Sequence, residues 1–277
     1  RLSMAQYFLQ ESEGVLVLDD PFVDLDPKRQ EMGAEVIKEF ASDKQVILST
    51  LALIMNKREM KSVRDTAAID EDNIIVEAND VSAVALLGGR PHAVGPFVNV
   101  YNEGTLAYLA RNGARSVCLP VELGMDALGA LAKDSPAELE VMVFGRLPLA
   151  ISARCYHARA HGLHKDGCQF VCIEDADGME VETLDGEPFL AINGVQTLSH
   201  AYTDLSAAVP DLLDLGIRRL RLSPHASVDM VAVSETYRAV IDGKTAPDEA
   251  SERLSALAGD ATFCNGYINN QTGYTFS

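Results

Sequence analysis

The amino-acid sequence predicts an α/β fold, a TIM-barrel-like (β/α) barrel, and leaves open that the barrel is incomplete at its N-terminus. Short apolar runs alternate with helix-like stretches, which is typical of a parallel α/β architecture. Several runs end on polar residues or on Gly and Pro, and functional residues of a (β/α) barrel gather at such strand ends. No G-x-G-x-x-G follows the first run, which disfavours a dinucleotide-binding open sheet.

The predicted elements follow from this alternation. The strand-like runs are residues 15–19, 45–50, 73–77, 92–95, 116–120, 139–145, 188–195 and 218–223. The helix-like stretches are residues 27–41, 80–87, 103–112, 125–133 and 228–241. Pro27 suits a first helical turn, and Asn79 or Asp80 suits an N-cap. We expect a single barrel-like domain over residues 1–277, with an atypical segment at 1–50 and a Cys-rich insert at 150–186.

Composition and charge exclude several classes of protein. Hydrophobic residues make up 47% of the chain, enough for a sizeable core. The formal net charge is −18, from 23 basic and 41 acidic residues, which argues against nucleic-acid binding. No apolar run approaches the ~20 residues of a membrane span, and the first residues lack the apolar block of a secretory signal. The sequence therefore predicts a soluble, cytoplasmic protein without a membrane span.

Three cysteines form the most informative motif. Cys155, Cys168 and Cys172 read C-x12-C-x3-C, which fits neither a C-x2-C zinc ribbon nor a C-x-x-C redox pair. Thiolates at this spacing can converge on one metal centre, and iron–sulfur clusters are held mostly by cysteine thiolates. Residues 146 to 172 include four basic residues and one acidic residue, and a positive environment stabilises thiolates. A cubane cluster normally takes four cysteines, so the motif supplies three of them.

Other residues near the motif admit a second interpretation. His157, His161 and His164 stand at i, i+4 and i+7, and with the cysteines they could bind zinc. Gly162 and Gly167 weaken a helix there, so loop or supporting positions are favoured for these histidines. An odd count of five cysteines disfavours a disulfide framework. Of the two remaining thiols, Cys118 is expected to be a small buried packing residue, and Cys264 a surface or packing thiol.

From about residue 45 to 277 the chain resembles the UbiV-like proteins of the collagenase-like (U-type) peptidase family. The matching words include QVILSTLAL, IIVEANDVSAV, VFGRLPLAISARCYHAR, KDGCQFVC and RLSPH. The resemblance implies a [4Fe-4S] cluster, a heterodimer with a UbiU-like partner, and support of O2-independent hydroxylation in anaerobic ubiquinone biosynthesis. A quinone precursor or lipid carrier is a further implied partner. The family's cluster ligands carry over onto Cys155, Cys168 and Cys172.

The N-terminal segment departs from this family pattern. The family's fourth cysteine is expected early in the chain, where this sequence reads VLVLDDPFVDLDPKRQ without a cysteine. The cluster is therefore expected to be labile or three-iron, unless Asp24, Asp26, water or a partner's group replaces the missing thiolate.

Residues 1–50 instead resemble the Walker B and D-loop segment of SMC- and ABC-type ATPases. Nucleotide hydrolysis needs a G-x4-G-K-[ST] loop, but Gly243-Lys244-Thr245 has Arg238 where the first glycine is required. Asp19 and Asp20 are accordingly expected to be structural remnants.

Two alternative functions remain at this stage. Relatives described as collagenases suggest a peptidase, although the sequence has no G-x-S-x-G elbow and no H-E-x-x-H motif. Glu122, at a strand end, could be a general base, but a salt-bridge role is favoured. A non-catalytic electron-transfer or scaffold subunit is the other alternative, since a bound cluster can pass single electrons.

Overall fold

The computed structural model describes residues 45–277, the backbone of residues 15–19, and positions 33, 35, 37 and 41. Chain contacts divide the protein into two compact units. The first comprises Arg1–Pro120 with Ser135–Glu138, and the second comprises Val121–Asp134 with Leu139–Ser277. The single domain over residues 1–277 stays a prediction.

The first unit holds five parallel strands side by side in chain order. They are β1 (Val15–Asp19), β2 (Gln45–Ser49), β3 (Ile74–Ala78), β4 (His92–Val94) and β5 (Ala114–Cys118). The helices between the later strands are α1 (Lys57–Ala67), α2 (Val81–Leu87) and α3 (Glu103–Arg111). Positions 33, 35, 37 and 41, inside the predicted 27–41 helix, are helical.

Local capping explains where these helices begin. The Asp80 carboxylate accepts a hydrogen bond from the Ser82 amide at 2.8 Å and starts α2, as the sequence predicts. Asn102 caps α3 through the Thr105 amide at 2.9 Å. The unpredicted helix α1 starts at Asn56, whose side chain accepts from two backbone amides. Helix α1 is mostly polar, so only its capping residue marks it in the sequence.

The second unit is built on β6 (Glu138–Ile151), with parallel β10 (Arg219–Leu222) and antiparallel β9 (Gln196–Asp204) as its neighbours. Strands β8 (Pro188–Asn193) and β7 (Met179–Glu182) continue antiparallel from β9, and β11 (Phe263–Cys264) pairs with β9 in parallel. The helices are α4 (Met125–Ala132), α5 (Tyr156–Ala160), α6 (Val209–Asp214), α7 (Met230–Ile241) and α8 (Pro247–Ala258).

Strand β6 extends beyond the predicted 139–145. Gly145 has φ +104° and would clash with Ser223 if it carried a Cβ, since that atom would lie 2.7 Å from the Ser223 backbone oxygen. The register with β9 shifts between Arg146 and Pro148 and again before Ala150. These irregularities bend the strand and let it pair with β10 first and β9 afterwards.

The predicted strand 188–195 is the middle of three antiparallel strands. It ends at Asn193, because Gly194 with φ +60° turns the chain into β9. The alternation of strands and helices is therefore interrupted between β6 and α6. The structure confirms a mixed α/β fold, and closure into a barrel stays a prediction.

The core of the second unit is centred on Phe144 in β6. This fully buried ring meets Tyr202 and Tyr237 edge to face, with centroids 6.1 Å and 6.4 Å away.

Among the described helices, none combines the length and the apolar character that crossing a membrane requires.

Candidate metal centre

Cys155 lies just beyond β6 and begins α5. Its side chain is buried, and its sulfur accepts a hydrogen bond from the Ala158 amide at 3.3 Å. The thiol also faces the Gly194 carbonyl at 3.2 Å, in the turn between β8 and β9. The sulfur takes the place of the Ser or Asp oxygen that usually caps the start of a helix. Cys155 is thus held in a fixed position.

Cys168 is the C-cap of a short 3-10 turn, Lys165–Gly167, and Cys172 lies within a second one, Val171–Ile173. Between them the backbone is unusual: Cys168 is right-handed, and Gln169 and Phe170 are both left-handed, with φ 54° and 55°. The Phe170 amide donates to the Cys168 sulfur at 3.4 Å. A right-handed residue followed by a left-handed one forms a concave nest of amides, a device found at iron–sulfur and phosphate sites.

The helix that follows Cys155 and the turn that contains Cys172 are in contact. Helix α5, which starts after Cys155, packs against the Val171–Ile173 turn that contains Cys172. All five cysteines lie in the described part of the chain, and none of them is in a disulfide there. Convergence of the three thiols on one centre stays a prediction, as do the cluster and its fourth ligand. Asp20, Asp24 and Asp26 lie outside the described residues.

Two histidines and an aspartate form a second group beside the cysteines. Ligand atoms of His157, His161 and Asp175 all lie within 4.8 Å of one another. The rings of His157 and His161 stack in parallel, with centroids 5.5 Å apart. His157 is fully buried, whereas Asp175 is partly exposed and its carboxylate lies 3.0 Å from His157 Nε2. Nitrogen and oxygen donors in this arrangement can bind a metal ion.

The i, i+4 and i+7 spacing would place three histidines on one helix face. In the structure only two of them, His157 and His161, lie together. Helix α5 ends at Ala160, and His161 is already its C-cap. His164 has extended backbone and an exposed side chain. Asp175 escaped prediction because an acid in the stretch EDAD is ordinarily a solvated surface residue, and only its position after the C-x3-C motif hints at a site.

A buried polar cluster lies at the end of β6, in the same unit. Arg146 is buried and donates to the carbonyls of Ser199 and His200 at 3.0 Å and 2.7 Å. His225 stacks on Tyr202 with centroids 4.1 Å apart, and its Nε2 accepts from the Arg146 amide at 3.1 Å. Burial first, and then the nearby Arg146 charge, lower the pKa of His225 to about 4, despite the opposing effect of a carboxylate nearby.

That carboxylate, Asp177, connects the Cys-rich segment to the loop before α7. Its two oxygens accept from the successive amides of Ala226 and Ser227 at 2.5 Å and 2.9 Å. Burial alone raises the pKa of Asp177, but hydrogen bonds from the two amides and the Ser227 hydroxyl together lower it. Asp177 therefore accepts both bonds as an ionised carboxylate.

The strand ends of the first unit carry a buried carboxylate. Glu77 accepts from Ser49 Oγ at 3.2 Å and from Asn79 Nδ2 at 3.3 Å, and all three side chains are buried. Asn79 Nδ2 also approaches Ser49 Oγ at 2.7 Å, so the three groups form one network. Gly95 lies against this network, since a Cβ there would approach Asn79 Oδ1 to 1.9 Å. The network ties β2 and β3 together at their carboxyl ends.

The remaining candidate residues do not join either group. Glu122 is exposed, and no ion pair to it occurs among the described residues. Cys118 and Cys264 are buried, which confirms packing positions for both. Burial also raises the pKa of the Cys264 thiol to about 11, so that thiol is protonated at neutral pH.

Fold and site together define an α/β protein with a thiol- and imidazole-rich segment between β6 and β7. The family model described as peptidase family U32 matches residues 28–275. The chain therefore belongs to peptidase family U32. The match begins inside the 1–50 segment, whose ATPase-like character stays a prediction. No solved structure gives a significant match to the chain.

Proposed function

We propose that this protein is an iron–sulfur subunit of the UbiU–UbiV type, supporting O2-independent hydroxylation in ubiquinone biosynthesis. Membership of peptidase family U32 and the C-x12-C-x3-C motif support this proposal. The parallel strands of the first unit would then belong to a (β/α) barrel, which is the fold expected from the resemblance.

The backbone between Cys168 and Cys172 is the observation that carries the proposal. Two consecutive non-glycine residues, Gln169 and Phe170, adopt left-handed conformations that cost free energy and concentrate at functional sites. Because this backbone aims an amide at the Cys168 sulfur, it suits a thiolate that carries negative charge. Hydrogen bonds from backbone amides to the sulfurs also tune the reduction potential of a cluster.

The residues present fit a cluster held by three cysteines. Cys155 is anchored by the Ala158 amide, Cys168 by the Phe170 amide, and Cys172 lies on a turn packed against α5. When bound, the cluster would supply one-electron transfer. The protein would position the thiolates and limit water, since Cys155 is buried while the other two are partly exposed.

A protein partner is part of the proposal. Tyr156, Phe170 and Ile173 are large apolar side chains, and each is about half exposed or more, at 48%, 53% and 63%. All three belong to the Cys-rich segment. Large exposed apolar side chains are typical of interaction surfaces when they form one patch, and we propose that a UbiU-like subunit covers them and provides the fourth cluster ligand.

Anaerobic purification with iron and sulfide counting and EPR tests the proposal. The wild-type chain, after reconstitution, is expected to be coloured, to contain iron and sulfide in similar amounts, and to give a cluster EPR signal once reduced or oxidised. Cys168→Ser should lose most of the iron and the sulfide together, because serine is a poor cluster ligand.

Cys264→Ala is the matched control. Its thiol is protonated at neutral pH and lies in β11, so this variant should keep the cluster content of the wild type. A colourless, iron-free wild-type protein after reconstitution would sink the proposal. Equal iron in the wild type and in Cys168→Ser would do the same.

The family description favours a peptidase as the second candidate. A peptidase would cleave gelatin or generic peptides, with or without added divalent metal. No turnover of such substrates under either condition would remove this candidate and leave the cluster proposal untouched.

A further inference from the structure

We propose that His157, His161 and Asp175 bind a divalent first-row transition-metal ion, in a site separate from the cysteine thiols. The site takes one ring nitrogen from each histidine and one carboxylate oxygen, all within 4.8 Å of one another. It lies between α5 and the end of the Val171–Ile173 turn, which pack against each other. This inference does not depend on the proposed cluster function.

The strongest observation is the state of the buried His157 ring. Its Nδ1 lies 3.2 Å from the Ile192 carbonyl, and a carbonyl can only accept, so Nδ1 carries the proton. A histidine that binds a metal typically donates its other ring N–H to a backbone carbonyl in this way. When the ring carries only this proton, its lone pair is on Nε2 and can bind a cation.

His157 Nε2 lies close to an oxygen but does not form a hydrogen bond with it. The distance to Asp175 Oδ2 is 3.0 Å, yet this buried nitrogen has no hydrogen-bond partner among the described residues. A lone pair and a carboxylate at that distance repel each other unless a proton or a metal ion lies between them. A buried unsatisfied nitrogen of this kind is costly.

A metal ion between the two atoms would bind both the unpartnered nitrogen and the carboxylate oxygen. Metal–nitrogen and metal–oxygen bonds are roughly 2.0–2.2 Å long, so two ligand atoms at 3.0 Å meet the ion at close to a right angle. His161 completes the set from the stacked ring one helical turn later. The exposed side of His161 leaves room for water on the ion.

The donor set selects the class of ion. Two imidazoles and one carboxylate suit Zn²⁺, Fe²⁺ and related first-row ions, whereas Mg²⁺ and Ca²⁺ prefer sites made of oxygen alone. Three protein ligands with open positions are also the pattern of catalytic rather than structural metal sites. The thiols have separate partners: the Ala158 amide for Cys155 and the Phe170 amide for Cys168.

Cobalt titration of the chelator-treated full-length chain under anaerobic conditions tests the site. We expect one Co²⁺ per chain, with weak d–d absorption bands and without the strong near-ultraviolet charge transfer of a cobalt–thiolate bond. His161→Ala and Asp175→Asn should each weaken binding by at least about tenfold, because each removes a ligand. Both side chains are at least partly exposed, so these variants should fold.

The segment offers matched controls of the same residue types. His164→Ala and Asp166→Asn change exposed side chains outside the group and should leave Co²⁺ binding unchanged. No cobalt binding, a thiolate charge-transfer band, or equal affinity in His161→Ala and the wild type would each overturn the inference.

A second readout separates this site from the cluster. In reconstituted protein, His161→Ala should lose the added Co²⁺ or Zn²⁺ but keep its sulfide and cluster iron. If His161→Ala loses sulfide and iron instead, the residue serves the cluster and the separate site is wrong. Cys168→Ser should show the opposite pattern, so failure of one proposal is distinguishable from failure of the other.

Discussion

At the scale of single residues, His225 shows how burial sets a protonation state. The ring stacks on Tyr202, its Nε2 accepts a hydrogen bond from the Arg146 amide, and its Nδ1 lies 3.8 Å from the Asp177 carboxylate. Protonation would put a proton on the nitrogen that now accepts, next to the buried Arg146 charge. The imidazole therefore stays neutral in the folded protein, with its pKa lowered to about 4.

This lowered pKa predicts acid lability. Between about pH 6.5, where an unfolded histidine titrates, and pH 4, His225 binds a proton in the unfolded state but not in the folded state. The free energy of unfolding should thus fall as the pH drops through this window, by up to about 3 kcal/mol from this residue alone. Urea unfolding at a series of pH values measures it.

His225→Gln is the informative variant, because its amide oxygen can still accept from the Arg146 amide but cannot titrate. Its stability should fall less between pH 7 and pH 4 than that of the wild type. His164→Gln, at an exposed position, should follow the wild-type curve. Parallel curves for His225→Gln and the wild type would contradict the assignment.

The candidate site was only partly accessible to sequence reasoning, for a physical reason. Cys155, Cys168 and Cys172 stand out because thiols are few in this chain and their spacing is short. Asp175 and Asp177 do not stand out, because carboxylates are common on surfaces and nothing local marks these two. Their roles depend on His157 and on the loop at Ala226, which folding brings close from distant parts of the sequence.

At the scale of elements, helix α7 is joined to two strands through one buried hydroxyl. Tyr237 Oη lies 2.7 Å from the Val143 carbonyl in β6 and 3.1 Å from Asp204 Oδ1 at the end of β9. Its single proton serves both acceptors. Burial first, and then the Asp204 charge, raise the pKa of Tyr237, so the hydroxyl remains a donor.

Tyr237→Phe should keep the aromatic packing on Phe144 and lose only this bond. We expect the free energy of unfolding to drop by about 0.5–1.5 kcal/mol, the usual net contribution of a hydrogen bond. The drop stays modest because both acceptors keep another donor, the Leu205 amide for the Val143 carbonyl and the Ser206 amide for Asp204 Oδ1. Chemical denaturation of the variant and the wild type measures the change. Tyr108→Phe, on an exposed ring in α3, should be neutral, and a neutral Tyr237→Phe would contradict this account.

Elements differ in how well local sequence predicts them. The parallel strands and helices of the first unit are each marked by a short apolar run or by a cap such as Asp80. Strands β7 and β9 have weak apolar character and form because β8 pairs with both. Such pairing depends on partners elsewhere in the chain, so local patterns do not reveal it.

At the scale of the whole molecule, charge and family membership constrain function in different ways. A net charge of −18 makes nucleic acid an unfavourable partner. Membership of peptidase family U32 covers residues 28–275 and fixes ancestry without fixing chemistry. The chemistry has to come from the segment between β6 and β7, where thiols, imidazoles and two carboxylates lie within a short length of chain.

The Asp177 carboxylate connects that segment to a loop elsewhere in the second unit, where metal binding can be measured. Asp177 lies two residues after the proposed ligand Asp175, and it accepts hydrogen bonds from the amides of Ala226 and Ser227. Metal loading that orders Asp175 should also restrain Asp177, so these two amides should exchange their hydrogens for deuterium more slowly. Exchange mass spectrometry with and without Zn²⁺ should show this protection in the wild type and not in Asp175→Asn, and equal exchange in the loaded and unloaded wild type would exclude the coupling.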